Sequence, residues 1–327
     1  MQHEAILYSL DTKIPYTHLQ TMTDYDTTKY AKLQDRIQEN NIWAMLDSAQ
    51  DFHYKLLPIR PRVHMVYYLG NISLLNQKTL GIVWPRKMSL YGKQVLENLF
   101  ISAQDNDIVT VSGMAEGIDQ LCHQLSHDYN IPTIAVLWWG LWRYLKRQEH
   151  TIIKQIVDAG GLVISEYKLW EQPTKYTFPQ RNRLIAGLSD VLFLPEAGEK
   201  SGSLITVDYA IAMKKPVYAT PNSIFSLTSA GVLRYIETGS IHPMFSLPRF
   251  LATHFTSKHS SFRPQTTVSL TDQEQWLVSC LSRDQGVAIQ SLVHSTWMDI
   301  QESISLLTML EIKGVVSQQE PGKYRLV

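Results

Sequence analysis

A change of hydrophobic period near residue 64 constrains this chain more than any other feature. From there on, short apolar runs recur: "HMVYYLG", "TLGIVW", "DIVTVSG", "PTIAVLWW", "GLVISE", "DVLFLPE" and "PVYATP". Stretches with helical spacing separate them, among them "YGKQVLENLFISAQDN", "EGIDQLCHQLSHDY" and "TIIKQIVDAG". Apolar runs this short, alternating with helices, predict βαβ units around a parallel sheet with helices on both faces. Ligands of such sheets bind beyond the carboxyl ends of the strands. Function is therefore to be sought in the residues that follow each strand.

The flanking segments read differently. Residues 1–53 are polar and carry apolar residues at helical intervals, with Tyr30, Leu33, Ile37, Ile42, Met45 and Leu46 on one stripe. They predict a small helical region packed on a core domain spanning 54–248. Residues 249–267, rich in Ser, Thr and basic side chains, predict a linker. Residues 268–327 predict a compact three-helix unit. Thr271 and Glu274 have capping-box spacing, and Ile300, Ile304, Leu307 and Leu310 form a stripe. Gly314 stops that helix, and a hairpin turning at Pro321–Gly322 follows. Helices closing on a two-stranded wing describe a winged helix.

Composition excludes several classes. The chain is 44% hydrophobic and 18% charged, enough for a sizeable core. Net charge is zero, which argues against a general nucleic-acid coater but leaves room for a local positive patch. Cys122 and Cys280 are far apart and lack metal or disulfide spacing. No apolar run approaches a membrane span, and "MQHEAILYSLDTK" lacks the order of a secretory signal, so the expectation is a soluble cytoplasmic protein.

Certain loops stand out at strand ends. Ser112 and Gly113 open "SGMAEGID", where glycine permits close backbone approach to a ligand. Lys200, Ser201, Gly202 and Ser203 precede an apolar helical run that includes Thr206, a phosphate cradle or an ordinary serine cap. No GxxxxGK[ST], GxGxxG or GxSxG pattern occurs, and no cofactor is implied. "HQLSH" lacks a zinc protease's glutamate; the spacing of Asp119 and His123 predicts a local hydrogen bond between them. Cys122, inside a helix, reads as a buried inert thiol. Trp84, Trp138 and Trp139 fall at strand ends, either as plugs filling the crevice or as platforms for unstacked bases. In "KYTFPQRNRLIAGLSD", Arg181, Asn182 and Arg183 stand at the mouth of a buried segment, holding a phosphate or pairing with acids such as Glu166 and Glu196.

Taken together, "SGMAEGID" with His123 downstream, "TIAVL", "GGLVISEY", "FPQRNRLIAGLSD", "EKSGSLIT" and "LEIKGVV" resemble the DNA-processing protein A family, DprA, also called Smf. The resemblance spans roughly 54–245 and 268–327. It implies an extended Rossmann-like domain that binds single-stranded DNA without catalysis. It also implies homodimers that protect incoming strands in natural transformation and load the RecA recombinase on them. Carried over by position, the resemblance makes Arg86, Ser112, Gly113, Arg181, Asn182, Arg183, Ser201, Gly202, Ser203 and Thr206 DNA-binding residues, with Lys200 beside them. The chain also departs from the family. Trp84 and Pro85 replace part of a "VGxR" loop, Glu116 stands where arginine is usual, Trp138 replaces a glycine, and Asn222 ends "TPN" in place of "VPG". A carboxylate facing a phosphate path weakens binding, so a paralogue acting as a protein-binding adaptor stays open. Nucleotide-hydrolysing relatives carry a catalytic glutamate where this chain has Thr206, which cannot act as a general acid or base at neutral pH.

Overall fold

The computed structural model describes residues 26–50, 52–85, 89–115, 118–141, 152–257, 271–282, 286–296, 298–312, 315–320 and 322–326, together with Ile6. They fall in two units, Met1–Lys258 and His259–Val327. In the first unit, helix α1 (Thr27–Glu39) is followed by β1 (Trp43–Leu46), β2 (Met65–Gly70) and β3 (Thr79–Ile82). Next come α2 (Leu90–Ala103), β4 (Asn106–Asp107), β5 (Val109–Ser112), α3 (Ile118–Asp128) and β6 (Thr133–Val136). Then follow α4 (Ile152–Asp158), β7 (Leu162–Ser165), α5 (Thr177–Leu188), β8 (Val191–Leu194) and α6 (Ser203–Ala212). The unit closes with β9 (Val217–Ala219), α7 (Ala230–Glu237), β10 (His242–Pro243), α8 (Leu247–His254) and β11 (Thr256–Ser257).

Each apolar run becomes a strand of one nine-stranded sheet, in the order β1-β2-β7-β6-β5-β3-β8-β9-β10. From β7 to β10 every pairing is parallel. Strands β3, β5, β6, β7 and β8 are buried at every position, as helices on both faces require. The run "HMVYYLG" departs from the parallel expectation, because β2 pairs antiparallel with both β7 and β1. Residues 71–78 link it to β3, which lies beyond β7, β6 and β5 in the sheet; so short a link can cross the sheet's edge but cannot also carry the chain back along it, so β2 and β3 run in opposite directions.

The N-terminal segment is more than a helical region. Asp26 caps α1 by accepting from the Lys29 amide at 3.0 Å, and the helix ends at Asn40 before Asn41 turns the chain at φ 52°. "WAML" then pairs with β2 as an edge strand, burying Leu46 in the same cluster as Leu33, Ile37 and Ile42. The expected linker is likewise partly structured. Ser246 caps α8, Pro248 sits in its first turn, and Phe250, Leu251 and Phe255 are buried. The rest of the expected linker, 258–267, lies outside the described residues.

A latch holds the amino ends of β3 and β8. Lys55 is 2% exposed, and its Nζ donates to Gln77 O (2.9 Å), Thr79 Oγ1 (3.0 Å) and Asp190 Oδ2 (2.8 Å). Burial pushes the Asp190 carboxyl up, but the bonds from Lys55 and Thr79 outweigh it and hold the group below the usual carboxylate range.

In the second unit, α9 (Asp272–Ser279), α10 (Ile289–Thr296) and α11 (Ile300–Ile312) accompany an antiparallel sheet of β12 (Val287–Ala288), β14 (Lys323–Leu326) and β13 (Val316–Glu320). The capping box forms: Thr271 Oγ1 accepts from the Glu274 amide (3.3 Å) and Glu274 Oε2 from the Thr271 amide (2.8 Å). The hairpin forms too, with β12 as a third strand beside it. The α11 stripe is split, however. Ser303, Leu307 and Leu310 face inward while Ile300 and Ile304 are exposed. Both sets have helical spacing, so apolar period alone did not choose between them. Gly314 and Pro321 lie outside the described residues. Among the described residues no helix is long and apolar enough to cross a membrane.

Replacing Lys55 with methionine leaves Asp190 without its cation. Lys55→Met is expected to lower unfolding stability by about 3 kcal/mol. A urea titration in which wild type and variant share one midpoint would remove the latch from the account.

Candidate functional site

A cleft of about 740 Å³ opens at the carboxyl edge of the parallel sheet. Loops from distant parts of the chain build it. After β3 come Val83, Trp84 and Pro85; after β5, Ala115 and Asp119; after β6, Trp138. The entry to α5 contributes Pro173 to Lys175 and then Phe178, Pro179, Arg181, Asn182 and Ile185. The segment after β8 contributes Lys200, Ser201, Gly202, Ser203, Ile205 and Thr206. This is the edge that the alternation of strands and helices singled out.

Arg181 forms the floor. It is 1% exposed, and its Nη1 donates to the Val136 carbonyl at the end of β6. Its Nη2 lies 3.8 Å from Asp119 Oδ2, and the guanidinium sits 5.4 Å from the centre of the Phe178 ring. Nε has no partner. Burial lowers the guanidinium's pKa and Asp119 opposes that; an arginine in such surroundings stays charged. Asp119 is fixed in turn by the Ala115 amide at 2.9 Å. Gly113 makes room for the pair, since a Cβ there would lie 2.2 Å from Asp119 Oδ2 and 2.5 Å from both Nη atoms. The arginine and its carboxylate thus require glycine here.

The remaining expected residues separate into two groups. Asn182, Lys200, Ser201, Gly202, Ser203 and Thr206 line the cleft with Arg181. Lys200 is exposed, and Gly202, the N-cap of α6, has no side chain to offer the helix; Ser201 Oγ accepts from the Ser203 amide at 3.4 Å. Ser201 and Ser203 share a hydroxyl hydrogen bond of 2.7 Å. Arg183, Ser112 and Gly113 do not line the cleft. Arg183 Nη2 donates to both oxygens of Glu166, at 2.6 and 2.7 Å, so of the two readings open for it the acid pair holds. Ser112 is fully buried, and its hydroxyl donates to the Ile82 carbonyl (2.9 Å), tying β5 to β3. Arg86 and Glu116 lie outside the described residues. Lys175 went unremarked in the sequence. It is an exposed cation at the head of the same "KYTFPQRN" stretch, and that position is the signal that marks it.

Of the three strand-end tryptophans, Trp84 and Trp139 are buried and Trp138 is half-buried. Trp84 is 6% exposed and packs in the cluster of Leu80, Leu96 and Phe100, so it plugs the crevice with one edge on the cleft. Trp138 is half-buried, meeting Trp139 and Phe178 edge-on at 5.2 and 5.4 Å, and keeps a surface on the cleft. The expected Asp119–His123 bond does not form. His123 Nε2 donates to the Gly113 carbonyl and Nδ1 accepts from the Thr133 hydroxyl, each at 2.8 Å. Burial holds the imidazole below its ordinary pKa, and it stays neutral. Burial likewise pushes the Cys122 thiol up, away from reactivity. Among the described residues no cluster of His, Cys, Asp and Glu is placed to hold a metal ion.

Residues 44–248 match the model of the DNA recombination-mediator protein A family. The chain belongs to that family. It is 33% identical over 210 residues to the DNA processing protein DprA of Streptococcus pneumoniae, covering 64% of this chain and 73% of that one. It is 33% identical over 321 residues to the protein Smf of a Synechocystis strain, covering 87% and 80%. The crystal structure of the S. pneumoniae protein superposes with TM-score 0.60 at 27% identity, over 78% of this chain and 94% of that one. DNA processing protein A of Helicobacter pylori, described for its unique single-stranded DNA binding mode, superposes with TM-score 0.56 at 27% identity, over 65% and 94%. In this chain the "RNR" segment lies in α5, where Arg181 and Asn182 line the cleft while Arg183 pairs with Glu166.

Burial pushes the Glu166 carboxyl up, and Arg183 pulls against it without restoring the ordinary value. A carboxyl whose folded pKa lies above its unfolded one binds its proton more tightly when folded. Its ionised form therefore weakens the fold as pH rises through that raised value. Removing the cation by Arg183→Ala deepens this loss to about 3 kcal/mol at neutral pH. The deficit is expected to shrink on acidification as Glu166 takes up its proton. Denaturant titrations at neutral and mildly acidic pH that show one constant deficit would contradict the pairing.

Proposed function

We propose that this protein binds single-stranded DNA, with the sugar–phosphate chain crossing the carboxyl edge of the sheet through the cleft. One observation carries the reading: exposed Lys175 and Lys200, the start of α6 behind Gly202 and aromatic surface converge in a single cleft. Cations and helix amides attract phosphates, and ring faces accept bases of any sequence. The chain's likeness to the H. pylori protein supports it. In this reading Lys175 and Lys200 carry the mobile charge. Arg181 supplies a fixed charge at the floor, Asn182 and the Ser201–Ser203 turn meet the backbone, and Arg183 holds the loops through Glu166.

By the same family resemblance we propose a cytoplasmic homodimer that acts in natural transformation and passes its strand to the RecA recombinase. The second unit, with helices beside a hairpin, is proposed as a winged helix. Its third helix, Ile300–Ile312, carries Glu302 and Glu311 and no lysine or arginine, with Ile300, Ile304 and Met309 exposed. A DNA-reading helix normally carries cations toward phosphates and base edges. A role in protein contacts fits this face better. Nucleotide hydrolysis is disfavoured by Thr206, a buried hydroxyl at the catalytic glutamate's position.

Each phosphate contact to a single strand contributes about 0.7 to the slope of log affinity against log salt. The double variant Lys175→Gln, Lys200→Gln is therefore expected to flatten that slope by roughly 1.4. Oligonucleotide binding measured across a salt series provides the check; an unchanged slope would move the strand elsewhere.

A further inference from the structure

The loop after β9 leaves the sheet at the same edge as the cleft and carries strongly exposed apolar residues, as do Leu90 after β3 (83%) and Phe245 after β10 (82%). Ile224, Phe225 and Leu227 are 77%, 89% and 87% exposed. Their backbone is not loose. Ser223 N bonds Asn222 Oδ1 (2.7 Å), Phe225 N bonds Ser223 Oγ (3.2 Å), and Ser226 N bonds Ser223 O (3.0 Å). Both flanks are anchored, Pro221 O by the Tyr91 hydroxyl (2.9 Å) and Gly231 N by Ala197 O (2.9 Å). The turns thus hold these side chains outward, where burial would otherwise favour them inside.

The loop adjoins the cleft through Gly198. A Cβ on Gly198 would lie 2.9 Å from the Leu227 carbonyl oxygen, and the Gly198 carbonyl accepts from Ser201 N at 3.0 Å. Ser201 and its neighbour Lys200 line the cleft. One short segment therefore has the cation and hydroxyls on one side and the apolar loop on the other.

We propose that Phe225, flanked by Ile224 and Leu227, is a base-stacking extension of the cleft: a strand whose phosphates pass Lys200 lays its next unstacked bases on this loop. The proposal rests on the single-strand reading above. The three side chains offer on the order of 500 Å² of apolar surface, and an aromatic face beside a cation is what holds unpaired bases without sequence preference. The hydroxyls of Ser223, Ser226 and Thr228 between the apolar residues suit a wet sugar–phosphate chain better than a dry protein core.

The test is anisotropy of labelled oligonucleotides with the full chain, at lengths of about 4 and about 16 nucleotides. Phe225→Ala is expected to lose about tenfold in affinity for the longer strand, to bind the shorter one like wild type, and to be rescued by Phe225→Trp. Wild-type binding of both lengths that Phe225→Ala leaves unchanged would overturn the extension alone. A wild type that binds neither length would sink the cleft reading first, and the extension with it. Light scattering on Phe225→Ala, Leu227→Ala decides against the proposal if mass falls while affinity holds, because the loop is then a protein contact.

Discussion

A buried guanidinium at the end of a parallel sheet is the constraint around which this edge is arranged. Taking Arg181 out of water is unfavourable unless its donors and charge are answered. The answers come from four directions: the Val136 carbonyl, Asp119, the Phe178 ring, and the missing side chain at Gly113. Asp119 is in turn oriented by a backbone amide, and His123 is bonded to the carbonyl of that same glycine. The cleft floor is thus a small polar lattice set in an apolar fold, where each member fixes the next. Lys175 and Lys200 are exposed on the cleft above it, whereas Arg181 is buried in its floor.

A second buried cation, Lys55, sits at the far end of β3 and plays the opposite part. Its donors are all answered at hydrogen-bond distance by groups of the fold, whereas Arg181 keeps a donor in reserve beside a cavity. Arg183 is matched to its carboxylate like Lys55, yet like Arg181 it keeps one buried donor, Nη1, without a partner. Sequence proximity to Arg181 therefore says little about role. Each helix position is turned about 100° from the one before it, so Arg181 and Arg183, two positions apart in α5, point about 200° away from each other and face different surroundings.

The sheet was legible because burial on both faces writes strands as short, continuous apolar runs, and the site's edge followed from the topology. What stayed hidden was direction and depth. The antiparallel course of β2 depends on how few residues link it to β3, and "WAML" shows no alternation to mark it as an edge strand. Ser112 and Gly113 fit a ligand loop by pattern, yet their contacts are with Ile82, Arg181 and Asp119, residues whose positions only the folded sheet brings near. Lys175 was missed for the converse reason: an exposed lysine in a loop is ordinary until the fold shows a cleft beneath it.

The cleft draws on residues from Val83 to Thr206, and β8, which delivers the last of them, enters the sheet beside β3 rather than at its growing edge. Pairing over that separation is slow to form and comes late in synthesis. A partly made chain can complete β5 and β6 and still have no wall opposite Arg181. The cleft is consequently complete only once β8 has taken its place beside β3 in the middle of the sheet.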